Sequence, residues 1–147
     1  MCDGGLVMAN DMYEVLGLIP SNSDFSLENA VVHFESLFFR NLRIRSELTK
    51  AEGESSSHGF RVWYGEWAVV AWLDDSSSVL ADNKHLMSKN PLPACPEIIG
   101  SCMKRLSVWS DEDPELDHSD EITHFTDELR NRFKMFIFDP VNGGWWT

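Results

Sequence analysis

Two apolar runs joined by a two-residue link constrain this fold more than any other feature of the sequence. Phe60 to Tyr64 and Trp67 to Leu73 flank Gly65-Glu66, and a type II′ turn requires glycine at the first of its two link positions. The second run is almost entirely apolar, as is typical of a strand that is covered on both faces. The sequence therefore predicts a β-hairpin whose second strand lies inside a sheet, with helices packed on that sheet.

The segment before the hairpin predicts a helix followed by a strand. Apolar residues at helical spacing predict a helix over 26–39, with Ser26 or Asp24 as its cap. Apolar and charged residues then alternate over 42–48, which is the pattern of a half-buried strand. Small polar residues predict a loop over 50–59. Together with the hairpin, this strand makes a three-stranded antiparallel meander.

The remaining segments predict shorter elements on either side of the meander. Residues 8–18 have the pattern of a short helix that ends at Gly17 and Pro20. The later elements are a helix over 79–89, a helical turn over 96–103, a strand over 105–109, a helix starting at Ser119, a strand over 134–138 and a returning strand at Trp145-Trp146.

Length and composition predict one domain. The chain has 147 residues, of which 43% are hydrophobic and 12% aromatic, so it can bury a core without a metal or disulfide staple. We expect a single α+β domain over 1–147, in which amphipathic helices pack on an antiparallel sheet formed by the meander and the later strands.

The cysteines and the chain start favour a cytoplasmic protein. Cys2, Cys95 and Cys102 are odd in number and include no CxxC pair, as expected of thiols in a reducing compartment. The first residues lack the basic and apolar regions of a signal peptide. The longest apolar run, Trp67 to Leu73, has seven residues. A membrane-spanning helix needs about 20, so no membrane segment is expected.

The excess of negative charge is the second feature of the sequence that constrains its function. The chain has 24 Asp and Glu against 12 Lys and Arg, a formal net charge of -12. Nucleic-acid binding depends on cationic side chains that neutralise phosphates, so direct binding of DNA or RNA is not expected. The acids are densest over 111–128, where no Lys or Arg occurs; they are Asp111, Glu112, Asp113, Glu115, Asp117, Asp120, Glu121, Asp127 and Glu128.

Familiar catalytic and metal-binding motifs are missing from the sequence. Asp111, Asp113 and Glu115 have the alternate spacing of an EF-hand loop, but Leu116 and Ile122 stand where that loop needs Gly and Glu. Glu121-x-x-His124 has no second copy to complete a di-iron site, and HExxH, GxSxG, P-loop and GxGxxG motifs are absent. We expect no metal, no cofactor and no catalysis.

The acidic run has two interpretations: a solubilising surface, or a face that attracts and binds a basic partner. Aromatic residues favour the second, because Trp109 directly precedes the acids and could act as an anchor beside them. The candidate partner-binding residues are Trp109, Asp111, Glu112, Asp113, Glu115, Asp117, Asp120 and Glu121.

The order of segments in the second half resembles a known class of proteins. Leu106-Ser-Val-Trp-Ser-Asp-Glu-Asp-Pro is followed by Asp117-His118, an amphipathic helix and Phe136-Ile-Phe-Asp-Pro-Val-Asn-Gly. This order resembles small acidic bacterial immunity proteins that are encoded beside polymorphic or contact-dependent toxins, most clearly over residues 60–146. The resemblance implies a cytoplasmic protein that binds a cognate toxin domain, often a basic nuclease, and blocks its active site or substrate cleft without doing chemistry.

Two other functions stay open from the sequence. One is a DNA mimic or general adaptor that binds many basic proteins through its charge. The other is a small hydrolase whose site is assembled from scattered Asp, Glu and His residues. An exposed edge strand near Trp145 would also permit a homodimer to form by sheet extension.

Overall fold

One antiparallel sheet of seven strands organises the chain, and a separate two-stranded hairpin lies beside it. The computed structural model describes residues 12–50, 53, 58–90 and 101–146. The elements are β1 (Glu14–Ile19), α1 (Leu27–Glu35), β2 (Phe38–Phe39), β3 (Leu42–Arg43), β4 (Arg45–Thr49), β5 (Gly59–Tyr64), β6 (Trp67–Asp74), α2 (Val79–Lys89), β7 (Lys104–Ser110), α3 (Ser119–Phe133), β8 (Phe136–Asp139) and β9 (Gly144–Trp146). The predicted single α+β domain with an antiparallel sheet is confirmed.

The strands of the large sheet follow the order β4-β5-β6-β7-β1-β8-β9. β4, β5 and β6 form the predicted meander, and β6 lies inside the sheet, as its apolar sequence indicated. Gly65, in the link between β5 and β6, has a φ of 67°, the left-handed value that glycine adopts without strain. Among the described residues, β4 and β9 form the two edges, so Trp145 does lie on an edge strand.

The helix predicted over 8–18 is wrong where the structure describes it, because Glu14–Ile19 is the strand β1. This strand lies between β7 and β8, and both of its faces are covered. Val15 belongs to the main core, whereas Leu18 packs with residues of α2 on the other face. A strand covered on both faces lacks the apolar–polar alternation that marks a half-exposed strand. Residues 8–11 lie outside the described residues.

A second hairpin lies where the sequence predicted the junction of a helix and a strand. The helix predicted over 26–39 ends at Glu35, and the strand predicted over 42–48 is divided into β3 and β4. Arg40 and Asn41 link β2 to β3 with φ values of 52° and 67°. A type I′ turn needs left-handed values at both link positions, and asparagine tolerates them better than most residues.

The main core is aromatic and lies between the sheet and the helices α1 and α3. Phe34 of α1 stacks on Phe125 of α3 with ring centroids 5.0 Å apart, and Phe60 of β5 lies 6.0 Å from Phe34. All three rings are fully buried. α1 begins at the predicted cap, because the Ser26 hydroxyl accepts a hydrogen bond from the backbone N–H of Asn29 at 3.0 Å. These contacts fix both helices on one face of the sheet.

The helix α2 covers part of the opposite face. Met87 packs with Leu18 and Cys102 in a smaller cluster, and the Asn83 side-chain amide donates a hydrogen bond to the Cys102 carbonyl at 2.8 Å. Burial raises the pKa of the Cys102 thiol to about 11, so this thiol stays protonated at neutral pH. None of the described helices is long and apolar enough to cross a membrane.

Most of the later elements were predicted from the sequence. The predictions of α2, β7, α3, β8 and β9 are confirmed, with bounds that differ by two residues at most. The helical turn predicted over 96–103 and the loop predicted over 50–59 lie mostly outside the described residues.

Gly59 supplies a stability test of the β5–β6 pairing. A methyl group at Gly59 would come within 2.1 Å of the Ala71 carbonyl oxygen, which belongs to backbone and has little room to move. We expect Gly59→Ala to lower the free energy of unfolding by about 3 kcal/mol, as overpacking does in other cores. Gly144→Ala is the control, because a methyl group at Gly144 meets nothing within 4 Å. Equal urea midpoints for the two variants would contradict this pairing.

Candidate partner-binding surface

A buried carboxylate holds the residues that join β7 to α3, a segment called here the acidic connection (residues 111–118). Asp113 is only 2% exposed. Its carboxylate accepts hydrogen bonds from the Tyr13 hydroxyl at 2.7 Å and from the backbone N–H groups of Asp117 and His118, both at 2.8 Å. Burial and the bond to Asp113 raise the pKa of Tyr13, so its hydroxyl keeps the proton that it donates. One side chain therefore ties the C-terminal end of the acidic connection to Tyr13.

The start of the acidic connection is tied to β6. The Asp111 carboxylate accepts a hydrogen bond from the Ala68 N–H at 2.9 Å, and the Asp111 N–H donates to the Ala68 carbonyl at 2.9 Å. The Trp67 indole N–H donates to the Glu112 carbonyl at 3.2 Å, and the Trp67 ring stacks on the His118 ring with centroids 4.6 Å apart. These contacts leave the backbone of the connection little freedom to rearrange.

The first turn of α3 continues the acidic surface. Asp120 and Glu121 lie in this turn, where the helix dipole stabilises negative charge. The Glu121 carboxylate pairs with Nδ1 of His118 at 2.9 Å, and Asp120 forms an ion pair with Arg40 of the β2–β3 link. Both members of the Asp120–Arg40 pair are largely exposed, so the pair contributes little to stability.

The structure divides the candidate acids into two groups. Asp113 and Glu121 are buried and bonded within the fold. The exposed acids of the connection and the first turn of α3 are Asp111, Glu112, Glu115, Asp117 and Asp120. Within the part of the chain that the structure describes, the side chains of Glu112, Glu115 and Asp117 form no ion pair or hydrogen bond, so their charges face solvent unpaired.

Trp109 lies on the sheet face opposite α1 and α3. Its neighbours in β7, Val108 and Ser110, point into the helix-covered side, and Trp109 is half-buried beside Val70 and Glu14. It lines a cavity of about 290 Å³. Trp109 is therefore close to the acids in sequence, but its ring belongs to a different face of the sheet.

Leu116 is a residue of this surface that the sequence analysis did not select. It is 46% exposed and has a φ of 59°, a left-handed conformation that costs a residue with a Cβ about 1–2 kcal/mol. A turn bond from its N–H to the Asp113 carbonyl, 3.1 Å long, holds it there. The only sequence signal is that Leu116 is the one large apolar residue of the acidic connection. In the sequence it lies between Glu115 and Asp117.

Among the described residues, no group of three or more His, Cys, Asp and Glu side chains is arranged to hold a metal ion. Asp111, Asp113, Asp120 and Glu121 instead bond to other groups of the protein. The chemistry that the arrangement offers is the presentation of fixed carboxylates and one apolar side chain to another molecule.

The anchoring role of Asp113 can be measured as stability. We expect Asp113→Ala to lower the free energy of unfolding by about 3 kcal/mol, because one buried donor and two partly buried donors lose a charged acceptor. Tyr13→Phe removes one of these bonds and should cost about 1–2 kcal/mol. Asp117→Ala is the matched control, with an effect of about 0.5 kcal/mol or less. If urea unfolding gave Asp113→Ala the same stability as Asp117→Ala, the anchor would be refuted.

Comparisons of the chain with protein-family models, with curated proteins and with solved structures found no match. A functional proposal therefore depends on the geometry and charge of the described residues.

Proposed function

We propose that the chain is a cytoplasmic, non-enzymatic inhibitor of the immunity type, which binds one basic toxin domain, of the nuclease kind, and blocks its active site or substrate cleft. The observation that carries this proposal is the row of unpaired, exposed carboxylates on the acidic connection. Glu112, Glu115 and Asp117 present negative charge that the described part of the chain does not neutralise. A basic cleft that binds phosphates attracts such a surface.

Electrostatics supports fast and selective association with a cationic partner. Exposed like charges on one side of a protein create a field that steers an oppositely charged partner into contact. The formal net charge of -12 strengthens that field over the whole molecule. The acids of the connection then determine which face of the inhibitor meets the partner.

Rigidity of the acidic connection supports tight binding. Ordering a mobile loop on binding consumes part of the interaction free energy, whereas a loop already held in place avoids this loss. Asp113, Tyr13 and the Trp67–His118 stack hold the connection in the free protein. The exposed carboxylates therefore keep their spacing before the partner arrives.

Leu116 supplies an apolar contact at the centre of the charged surface. Partner contacts are strongest where an apolar side chain is surrounded by polar groups that exclude water. Leu116 has this position between Glu115 and Asp117. In this proposal it is the central contact of the acidic connection, and Trp109 contacts the partner only if the partner extends onto the other face of the sheet.

The proposal requires that a basic toxin domain is encoded next to this chain, and the main test is binding to that domain. We expect wild-type protein to restore growth of cells that express this domain, and to bind it with an affinity that falls as salt rises. The triple variant Glu112→Gln, Glu115→Gln, Asp117→Asn should lower the association rate constant about tenfold and reduce its salt dependence. The measurement is surface plasmon resonance at low and physiological ionic strength.

A matched variant separates local charge from total charge. Glu28→Gln, Glu35→Gln and Asp75→Asn change the net charge by the same amount at exposed positions outside the acidic connection. We expect this variant to keep nearly the wild-type association rate. Equal rates for the two triple variants, or no binding by the wild type, would overturn the proposal. Similar affinity for unrelated basic proteins such as lysozyme and cytochrome c would favour the DNA mimic or general adaptor instead.

Leu116 can be tested separately for a role in binding. We expect Leu116→Gly to change the free energy of unfolding by no more than about 1 kcal/mol, because glycine relieves the left-handed strain but has more entropy to lose on folding. The same change should weaken toxin binding about tenfold. Val32→Ala, at a position 70% exposed on α1, is the control and should bind like the wild type. Unchanged binding by Leu116→Gly would exclude Leu116 as a contact.

A further inference from the structure

A small pocket lies between the β2–β3 hairpin and the first turn of α3, directly beside the exposed acids. Its volume is about 170 Å³. Pockets for drug-sized ligands start at roughly 300 Å³, so this one suits a single side chain rather than a whole cofactor. The ion pair between Arg40 and Asp120 connects the hairpin to α3 at this point.

The pocket has a buried inner end and an exposed mouth. Ile44, Tyr64 and Glu121 line the inner end and are 1%, 7% and 8% exposed. Leu42 and Arg43 line the mouth and are exposed, with Leu42 at 61%. An occupant would therefore pass apolar walls before it reaches the one carboxylate at the inner end.

The carboxylate at the inner end is only half satisfied. One oxygen of Glu121 pairs with Nδ1 of His118, whereas Oε1 is buried and has no hydrogen-bond partner among the described residues. A buried, unpaired charged oxygen is unfavourable, and a hydrogen-bond donor placed against it would restore the lost interaction. A group that binds at the inner end of the pocket should therefore carry a hydrogen-bond donor.

The neighbouring hydroxyl does not supply that donor. The Tyr64 hydroxyl lies 2.8 Å from Nδ1 of His124. Burial raises the pKa of Tyr64, and the nearby Glu128 and Glu121 raise it further, while burial lowers the pKa of His124. Tyr64 therefore stays protonated, but its hydroxyl is hydrogen-bonded to His124 and does not bond to Oε1 of Glu121.

We infer that this pocket takes the side chain of an arginine or lysine from the partner, with the apolar stem between Leu42 and Ile44 and the cationic head against Oε1 of Glu121. Long cationic side chains combine such a stem with such a head. The inference rests on the proposed function, since it assigns to the basic toxin domain one inserted side chain beside the acidic connection.

The positive charge of Arg43 at the mouth of the pocket predicts how a substitution there changes the affinity for a cation. Asp120 offsets the charge of Arg40, but Arg43 forms no ion pair within the described residues. A cation that enters the pocket is repelled by Arg43, whereas an anion would be attracted. Removal of this charge must therefore strengthen cation binding and weaken anion binding.

The experiment uses small probes, so that it does not depend on the toxin. N-acetyl-arginine amide is titrated into the full chain, and NMR records the Ile44 methyl and Tyr64 ring resonances. We expect saturable shifts at millimolar concentration, and at least tenfold weaker binding of the uncharged analogue N-acetyl-citrulline amide. Glu121→Gln should weaken arginine binding about tenfold, and Arg43→Gln should strengthen it about twofold.

Two controls keep the result interpretable. Glu28→Gln makes the same charge change as Glu121→Gln at an exposed position outside both the pocket and the acidic connection, and should leave probe affinity unchanged. Leu42→Trp, at the exposed mouth, should block the probe even if Glu121→Gln fails to fold. A pocket that holds only water would give no saturable shift, and this result, equal binding of the citrulline probe, or weaker binding by Arg43→Gln would each overturn the inference.

The two proposals fail in different ways. If the toxin binds but the probe does not, the acidic connection is the binding surface and the pocket is not part of it. If the probe binds but the toxin does not, the pocket recognises a cationic side chain and the toxin-inhibitor function is wrong.

Discussion

The buried carboxylate of Asp113 makes the hydrogen bonds on which the shape of the acidic connection depends. It joins Tyr13, which precedes the first strand, to the backbone at the start of α3, over a separation of 100 residues in the sequence. A carboxylate can be buried only if donors replace its water, and here three donors do so. The remaining acids of the connection stay at the surface because the backbone between Asp111 and His118 has no freedom to turn them inward.

Dense negative charge is tolerated at this place because the surrounding structure offsets part of it. Backbone N–H groups of Ala68, Asp117 and His118 point at carboxylates, and the first turn of α3 directs its dipole toward the same region. These groups compensate the acids that are bonded within the fold. Among the described residues, no such group compensates the charges of Glu112, Glu115 and Asp117, and uncompensated charge is the condition under which a surface attracts a cationic partner over a distance.

Local patterns in the sequence predicted the elements that are determined by residues close together in the chain. Gly65 specifies the β5–β6 turn by its own backbone freedom, and the apolar spacing with its ordered charges specifies α3. β1 was missed because its two covered faces depend on β7 and β8. The sequence also did not predict which acids are buried and which are exposed, since no residue next to Asp113 distinguishes it from Asp111. Its burial depends on Tyr13, which is 100 residues away in the sequence, as well as on two nearby backbone N–H groups.

Two unfavourable features lie on the acidic side of the molecule. Leu116 holds a left-handed backbone conformation in which glycine would be unstrained, and Glu121 keeps a buried oxygen without a partner. Each feature carries a local penalty, from a left-handed φ at Leu116 and from a buried oxygen without a donor at Glu121. Strain that the fold itself does not need is concentrated at sites of function. In the proposed complex the partner would bury the exposed side chain of Leu116 and supply a donor to Oε1 of Glu121, so the acidic connection and the neighbouring pocket would belong to one binding surface.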